Sequence, residues 1–118
     1  MAVEYVFINN NYVEKENAKI SVMSHAFMYG TSVFEGIRAY YNKEENQMYA
    51  FRLKEHFERI LASAKIMHIN INYTIEEMCK ITKELMKKNN YQTDVYIRPT
   101  AYKSGEQVAA CLVGCADD

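Results

Sequence analysis

The chain has 118 residues, with 14 basic and 15 acidic side chains and a formal net charge of -1. That length suits one domain with its own core, and the near balance of charge leaves no bulk field to draw the protein onto nucleic acid or an anionic membrane. With 49% hydrophobic and 25% charged residues, the composition excludes disordered, collagenous and disulfide-scaffold classes. Cys79, Cys111 and Cys115 are odd in number and form no CxxC pair, so they predict buried or idle thiols rather than a disulfide framework or a zinc site. No apolar run reaches the roughly 20 residues of a membrane helix, and the opening MAVEYVF lacks the regions of a secretory signal. A cytoplasmic protein is expected.

In chain order, Tyr5 to Ile8 and Tyr12 to Ile20 are rich in aromatic and branched residues and flank the run Asn9, Asn10 and Asn11, which predicts a hairpin. His25 falls in a loop. A strand is expected from Ser32 to Tyr41, a polar turn from Asn42 to Gln47, and a partner strand from Met48 to Arg52. The period then changes. Leu53, Phe57, Ile60, Leu61, Ala64 and Met67 recur at helical spacing, giving an amphipathic helix from about Leu53 to Met67. Thr74 and Glu77 form a capping box ahead of the stripe Ile75, Met78, Ile81 and Leu85, and Lys87 and Lys88 suit the negative end of that second helix. Strands are expected again at Asp94 to Tyr102 and Gln107 to Val113, with the small, acidic residues 114–118 beginning a linker. This order predicts an α+β domain, an antiparallel sheet with two helices packed on one face.

Within YGTSVFEGIR, an extended backbone puts Phe34, Gly36 and Arg38 on one face and Val33, Glu35 and Ile37 on the other. The gap beside an apolar wall gives room for a ligand or close approach of another backbone, and the arginine offers planar recognition of a carboxylate; the plainer alternative is a bulge glycine beside a surface arginine, and spacing alone favours it. In VYIRP, Tyr96 and Arg98 share a face opposite Val95 and Ile97, and Pro99 is expected at a strand edge or bulge. Arg59 lies near the boundary of the first helix's apolar stripe, where it could reach a phosphate or simply cover apolar surface with its stem. His25, His56 and His68 have no second ligand at metal spacing, so no metal is assigned. The scattered glycines form no phosphate loop.

Three blocks in order, MSHAFMYGTSVFEGIRAY (Met23 to Tyr40), FRLKEHFERILASAKIM (Phe51 to Met67) and YIRPTAYKSG (Tyr96 to Gly105), resemble the branched-chain amino-acid aminotransferases of the class IV, fold type IV, pyridoxal-phosphate family. Within that class, VFEGIR is more similar to the branched-chain enzymes than to D-amino-acid aminotransferases or aminodeoxychorismate lyases. The resemblance implies that residues 1–113 are the small N-terminal domain. It gives Arg59 the cofactor phosphate, makes Phe34, Gly36 and Tyr96 the lining for the substrate side chain, and sets Arg38 and Arg98 to accept glutamate's distal carboxylate. Tyr29, a substrate-binding residue that bears on substrate charge along with these arginines, is expected to reach across a dimer interface. The same resemblance implies leucine, isoleucine or valine and 2-oxoglutarate as substrates, pyridoxal 5'-phosphate as cofactor, and a homo-oligomer. In the family the lysine that forms the Schiff base lies in a large C-terminal domain, which is expected to be absent here, so the chain alone should neither hold the cofactor nor transaminate. The alternatives are a non-catalytic oligomerisation or binding module of the same fold, or another class IV enzyme such as a D-amino-acid aminotransferase.

Overall fold

The computed structural model describes residues 3–105, so the expected strand at Gln107 to Val113, the linker at 114–118, Cys111 and Cys115 lie outside the described residues. The chain opens with a hairpin of β1 (Tyr5–Ile8) and β2 (Asn11–Glu14), in which Ile8 faces Asn11 across two residues of positive φ, Asn9 and Asn10. Asparagine tolerates that left-handed backbone, which is why the asparagine run marks the turn. The second strand is shorter than expected and gives way to a single tight turn at Lys15–Asn17. A short helix, α1 (His25–Tyr29), follows where a loop was expected. Ser24 caps it by accepting from Phe27 N, and Gly30 ends it at φ 70. Five residues are too few for the helical period to show in the sequence.

The expected strand from Ser32 to Tyr41 is two strands, β3 (Ser32–Phe34) and β4 (Ile37–Asn42). Opposite them, the expected strand from Asp94 to Tyr102 is likewise divided into β6 (Val95–Ile97) and β7 (Thr100–Tyr102). Both breaks are one event. Phe34 faces Thr100 and Ile37 faces Ile97, so the register carries Glu35 opposite Pro99 and Gly36 opposite Arg98. Glu35 N donates to Pro99 O at 3.1 Å, but Pro99 has no N–H to return the bond, and the ladder parts there. Pro99 therefore sits at an interruption of the ribbon between β6 and β7, each an edge strand of its sheet, which is the edge position expected of it. The strand β5 (Gln47–Ala50) pairs with the other side of β4, so the antiparallel strands form three sheets: β1-β2, β3-β7 and β5-β4-β6.

Two helices cover one face of this ribbon. In α2 (Leu53–Ile66), Leu53, Phe57, Ile60 and Ala64 are buried; α3 (Ile75–Asn89) buries Met78, Thr82 and Met86 and carries the complete Thr74–Glu77 capping box. Ile37 from β4 enters the same core as Leu53, Phe57, Ile60 and Met78, with Ala50 and Ile97 packed against it. The hairpin is tied to α3 by Asn89, whose side chain accepts from Tyr5 N at 2.7 Å and donates to Tyr5 O at 3.0 Å. Among the described residues no helix is long and apolar enough to cross a membrane. Ile60 is 2% exposed in the centre of the core, and Ile60→Ala is expected to destabilise the chain by about 2 to 5 kcal/mol through lost burial and a residual cavity. Exposed Ile66, at the end of the same helix, should lose less than about 0.5 kcal/mol on the same change; denaturant titration of both variants checks the contrast.

Candidate functional site

With the helices on one face, alternation leaves the other face of the ribbon open. From Phe34 to Tyr40, Phe34, Gly36, Arg38 and Tyr40 are exposed, while Glu35, Ile37 and Ala39 are buried. The expected division of faces is the one observed. Arg38 stands directly opposite Tyr96 in the β4-β6 register. A Cβ on Gly36 would lie 3.0 Å from Tyr96 Oη and 3.1 Å from its Cε2, so the Tyr96 ring rests where any other residue would place a side chain. The glycine is an approach site for this aromatic ring. Arg98 lays its guanidinium 3.9 Å from the centre of the Phe34 ring, a cation–π contact. Of the expected residues, Phe34, Gly36, Arg38, Tyr96 and Arg98 thus form one continuous group across the two strands. Phe34 is 52% and Tyr96 56% exposed, which leaves two aromatic faces open for apolar contact beside two guanidinium groups.

Arg59 reaches the same ribbon from the helix side. Its Nε donates to Glu35 Oε1 at 3.0 Å and Oε2 at 2.9 Å, and its Nη2 to Oε1 at 2.7 Å. Glu35 is 5% exposed, whereas the Arg59 side chain is 67% exposed. Arg59 is therefore not simply laying its stem over apolar surface: its inner edge is clamped, and the outer N–H groups of the guanidinium face solvent. His56 Nδ1 lies 2.8 Å from the same Oε1. The hydrogen bonds from Arg59 hold the Glu35 carboxyl below the usual carboxylate range against the opposing effect of burial, with His56 adding to the lowering. An ionised carboxylate only accepts, so the His56 proton must sit on Nδ1. Glu35 in turn raises the Arg59 pKa through the same hydrogen bonds.

Glu35 and His56 were missed as site residues in the sequence, although a signal was there. Glu35 is the one charged residue on the inward face between Val33 and Ile37, and a buried carboxylate requires partners. His56 and Arg59 are three apart on a helix and share a face. Tyr29 stands elsewhere, on α1, with its ring 4.7 Å from that of His25. That helix is anchored by buried polar groups: His25 Nδ1 is 2.8 Å from Thr31 Oγ1, and the backbone amides of His25 and Ala26 donate to Gly105 O and Lys103 O at 2.6 and 3.0 Å. Among the described residues no group of His, Cys, Asp and Glu could hold a metal ion.

The group can bind an apolar side chain and an anion side by side, with a further clamped guanidinium available to a phosphate. Residues 32–114 match the family model described as amino-transferase class IV. The chain is 48% identical over 101 residues to a probable branched-chain-amino-acid aminotransferase of Aquifex aeolicus, covering 86% of this chain and 32% of that protein. It is 41% identical over 96 residues to the D-alanine aminotransferase of Staphylococcus epidermidis, covering 80% and 32%. The crystal structure of the branched-chain aminotransferase of Thermoproteus uzoniensis with norvaline superposes with a TM-score of 0.90 at 42% identity, over 98% of this chain and 38% of that one. The branched-chain amino acid aminotransferase of Thermobaculum terrenum in its PLP form superposes with a TM-score of 0.86 at 32% identity, again over 98% and 38%. The chain spans about a third of the length of the curated relatives it matches. A family match over most of the residues and a shared fold together show that this chain belongs to the class IV aminotransferases.

Proposed function

We propose that this chain is the small domain of a pyridoxal-phosphate-dependent branched-chain amino-acid aminotransferase, supplying the substrate-recognising half of its active site. The observation that carries the reading is the contiguity of Phe34, Gly36, Arg38, Tyr96 and Arg98 on one open face. Branched side chains of leucine, isoleucine and valine pack on Phe34 and Tyr96, and the distal carboxylate of glutamate or 2-oxoglutarate meets Arg38 and Arg98. One pocket thus serves both partners of the exchange. Arg98 stacked on Phe34 keeps the cation at the edge of the apolar wall, near enough for a carboxylate and out of the way of a methyl group.

Arg59 fits a cofactor phosphate, because Glu35 takes its Nε and one Nη2 hydrogen and leaves the outer N–H groups exposed. When bound, pyridoxal 5'-phosphate would supply the carbonyl that accepts and returns the amino group. The chain's own residues orient the substrate, exclude water around its side chain and hold the phosphate. The covalent amine is assigned to the large domain of the family. By itself the chain is then inactive, and mixing it with cofactor, leucine and 2-oxoglutarate is expected to yield no glutamate. Self-association belongs to the same reading: Val22, Phe27, Met28 and Tyr29 around α1 are exposed and form an apolar surface suited to a second subunit, as does the open aromatic face. A cytoplasmic location completes it.

Steady-state kinetics of the whole protein test the assignment. Arg98→Gln is expected to raise KM for 2-oxoglutarate by about tenfold, the worth of one charge-assisted contact, while KM for leucine moves far less. Equal effects on both substrates would contradict it. The 41% identity to a D-alanine aminotransferase favours D-amino acids as a second reading, and turnover of D-alanine in preference to L-leucine would establish it.

A further inference from the structure

A second concave surface lies at the margin of the sheet, between β5 and α3. The ladder order β5-β4-β6 makes β5 an edge strand. Phe51 N donates to Arg38 O at 2.9 Å, which fixes the alternation along the pair: Tyr49 and Gln47 turn their backbone groups toward β4, and Met48 and Ala50 turn theirs outward. Among the described residues those outward groups meet no strand. They border a groove of about 590 Å³ whose opposite bank is α3. Leu53, Cys79 and Met86 supply an apolar floor with Lys54, Lys83 and Lys87 around it, while Glu76 and Glu84 stand with the same lysines on the adjoining outer surface of α3, outside this lining. Cys79, Lys83 and Lys87 follow one another at four-residue spacing, so they form a single stripe along α3 facing the edge.

We propose that this groove receives an extended acidic peptide segment, which pairs with β5 as an added strand and sets its carboxylates on Lys54, Lys83 and Lys87. Main-chain bonds to Met48 and Ala50 give the register, and side chains alternate between the apolar floor and the open side. The charge decides the occupant. Lysines beside an open edge repel or solvate against uncharged and basic strands, and only an acidic segment turns that barrier into attraction. The raised pKa of Cys79, caused chiefly by burial, accords with a floor that is partly shielded from water.

A blocked peptide alternating aspartate with valine, carrying a fluorescent label, is the probe, and anisotropy at low salt is the readout. Binding to the chain is expected to weaken by about tenfold or more in Lys83→Glu/Lys87→Glu, and to a similar degree when the peptide is N-methylated on the edge that pairs. Amide exchange at Met48 and Ala50 should slow on binding. Absence of binding, binding indifferent to N-methylation, or displacement by citrate as effective as by unlabelled peptide would overturn the proposal, the last outcome marking a simple anion site.

Discussion

Replacing Gly36 with valine is expected to lower kcat/KM for leucine in the whole protein by about a hundredfold while leaving the thermal midpoint nearly unchanged. The cause is local. A Cβ at this position meets Tyr96 at 3.0 and 3.1 Å, and the two methyl groups of valine extend further into the space the ring occupies. The backbone itself raises no objection, since Gly36 is not among the positive-φ glycines. Tyr96 must therefore swing away, and displacement of a binding group by about 1 Å costs on the order of a hundredfold in a preorganised site. The ring is 56% exposed, so its movement leaves the core intact. Gly36→Ala gives an intermediate loss, because the flexible end of the tyrosine can yield by a few tenths of an ångström. Full activity in Gly36→Val would mean that Tyr96 does not line the pocket.

The second large effect is expected at Glu35. Glu35→Gln removes the charge that clamps Arg59 and leaves a neutral amide in a nearly buried position. Two losses follow: about 1 to 3 kcal/mol of stability from imperfectly satisfied polar groups, and about tenfold weaker binding of the cofactor phosphate as the guanidinium loses its orientation. Because the folded state lowers the Glu35 pKa, its contribution to stability is fully present above the ordinary carboxylate pKa, about 4.3, and is lost as pH falls through the lower folded value. The wild-type chain should thus lose stability on acidification where Glu35→Gln does not lose this share. Denaturant titrations of both proteins at neutral pH and below about pH 4 read the difference, while cofactor titration of the whole protein separates the second loss from the first. A variant that binds cofactor as tightly as wild type would remove Glu35 from the site and leave it a fold-stabilising group only.

Much of this was legible in the sequence. The Thr74–Glu77 box, the apolar stripe of α2 and the asparagine turn are local signals, each set by neighbouring residues, and each appears in the structure, whereas α3 buries Met78 with Thr82 and Met86 and leaves Ile75, Ile81 and Leu85 of the expected stripe half-buried. The two faces of the Phe34–Arg38 segment follow from period-two alternation and needed no tertiary information. What the letters did not show is long-range. The breaks at Glu35–Gly36 and Arg98–Pro99 arise only when the two segments come opposite each other, because the missing N–H of Pro99 interrupts its partner as well. The clamp of Glu35 on Arg59 joins residues 24 positions apart. Likewise, the short α1 is held by His25, Thr31 and the backbone near Lys103, not by its own periodicity. The stacking of Arg98 on Phe34 and the fit of Tyr96 over Gly36 are side-chain facts that spacing could allow without deciding, and they turn two ambiguous strands into one site.

A crystal structure of the whole protein with bound 4-methylvalerate, an unreactive carboxylate with leucine's branched end, tests the central assignment most directly. The branched methyl groups should lie within about 4 Å of both Phe34 and Tyr96, with Arg59 on the cofactor phosphate and still hydrogen-bonded to Glu35. A ligand bound with its branched end away from both rings would contradict the assignment of this face as the side-chain pocket.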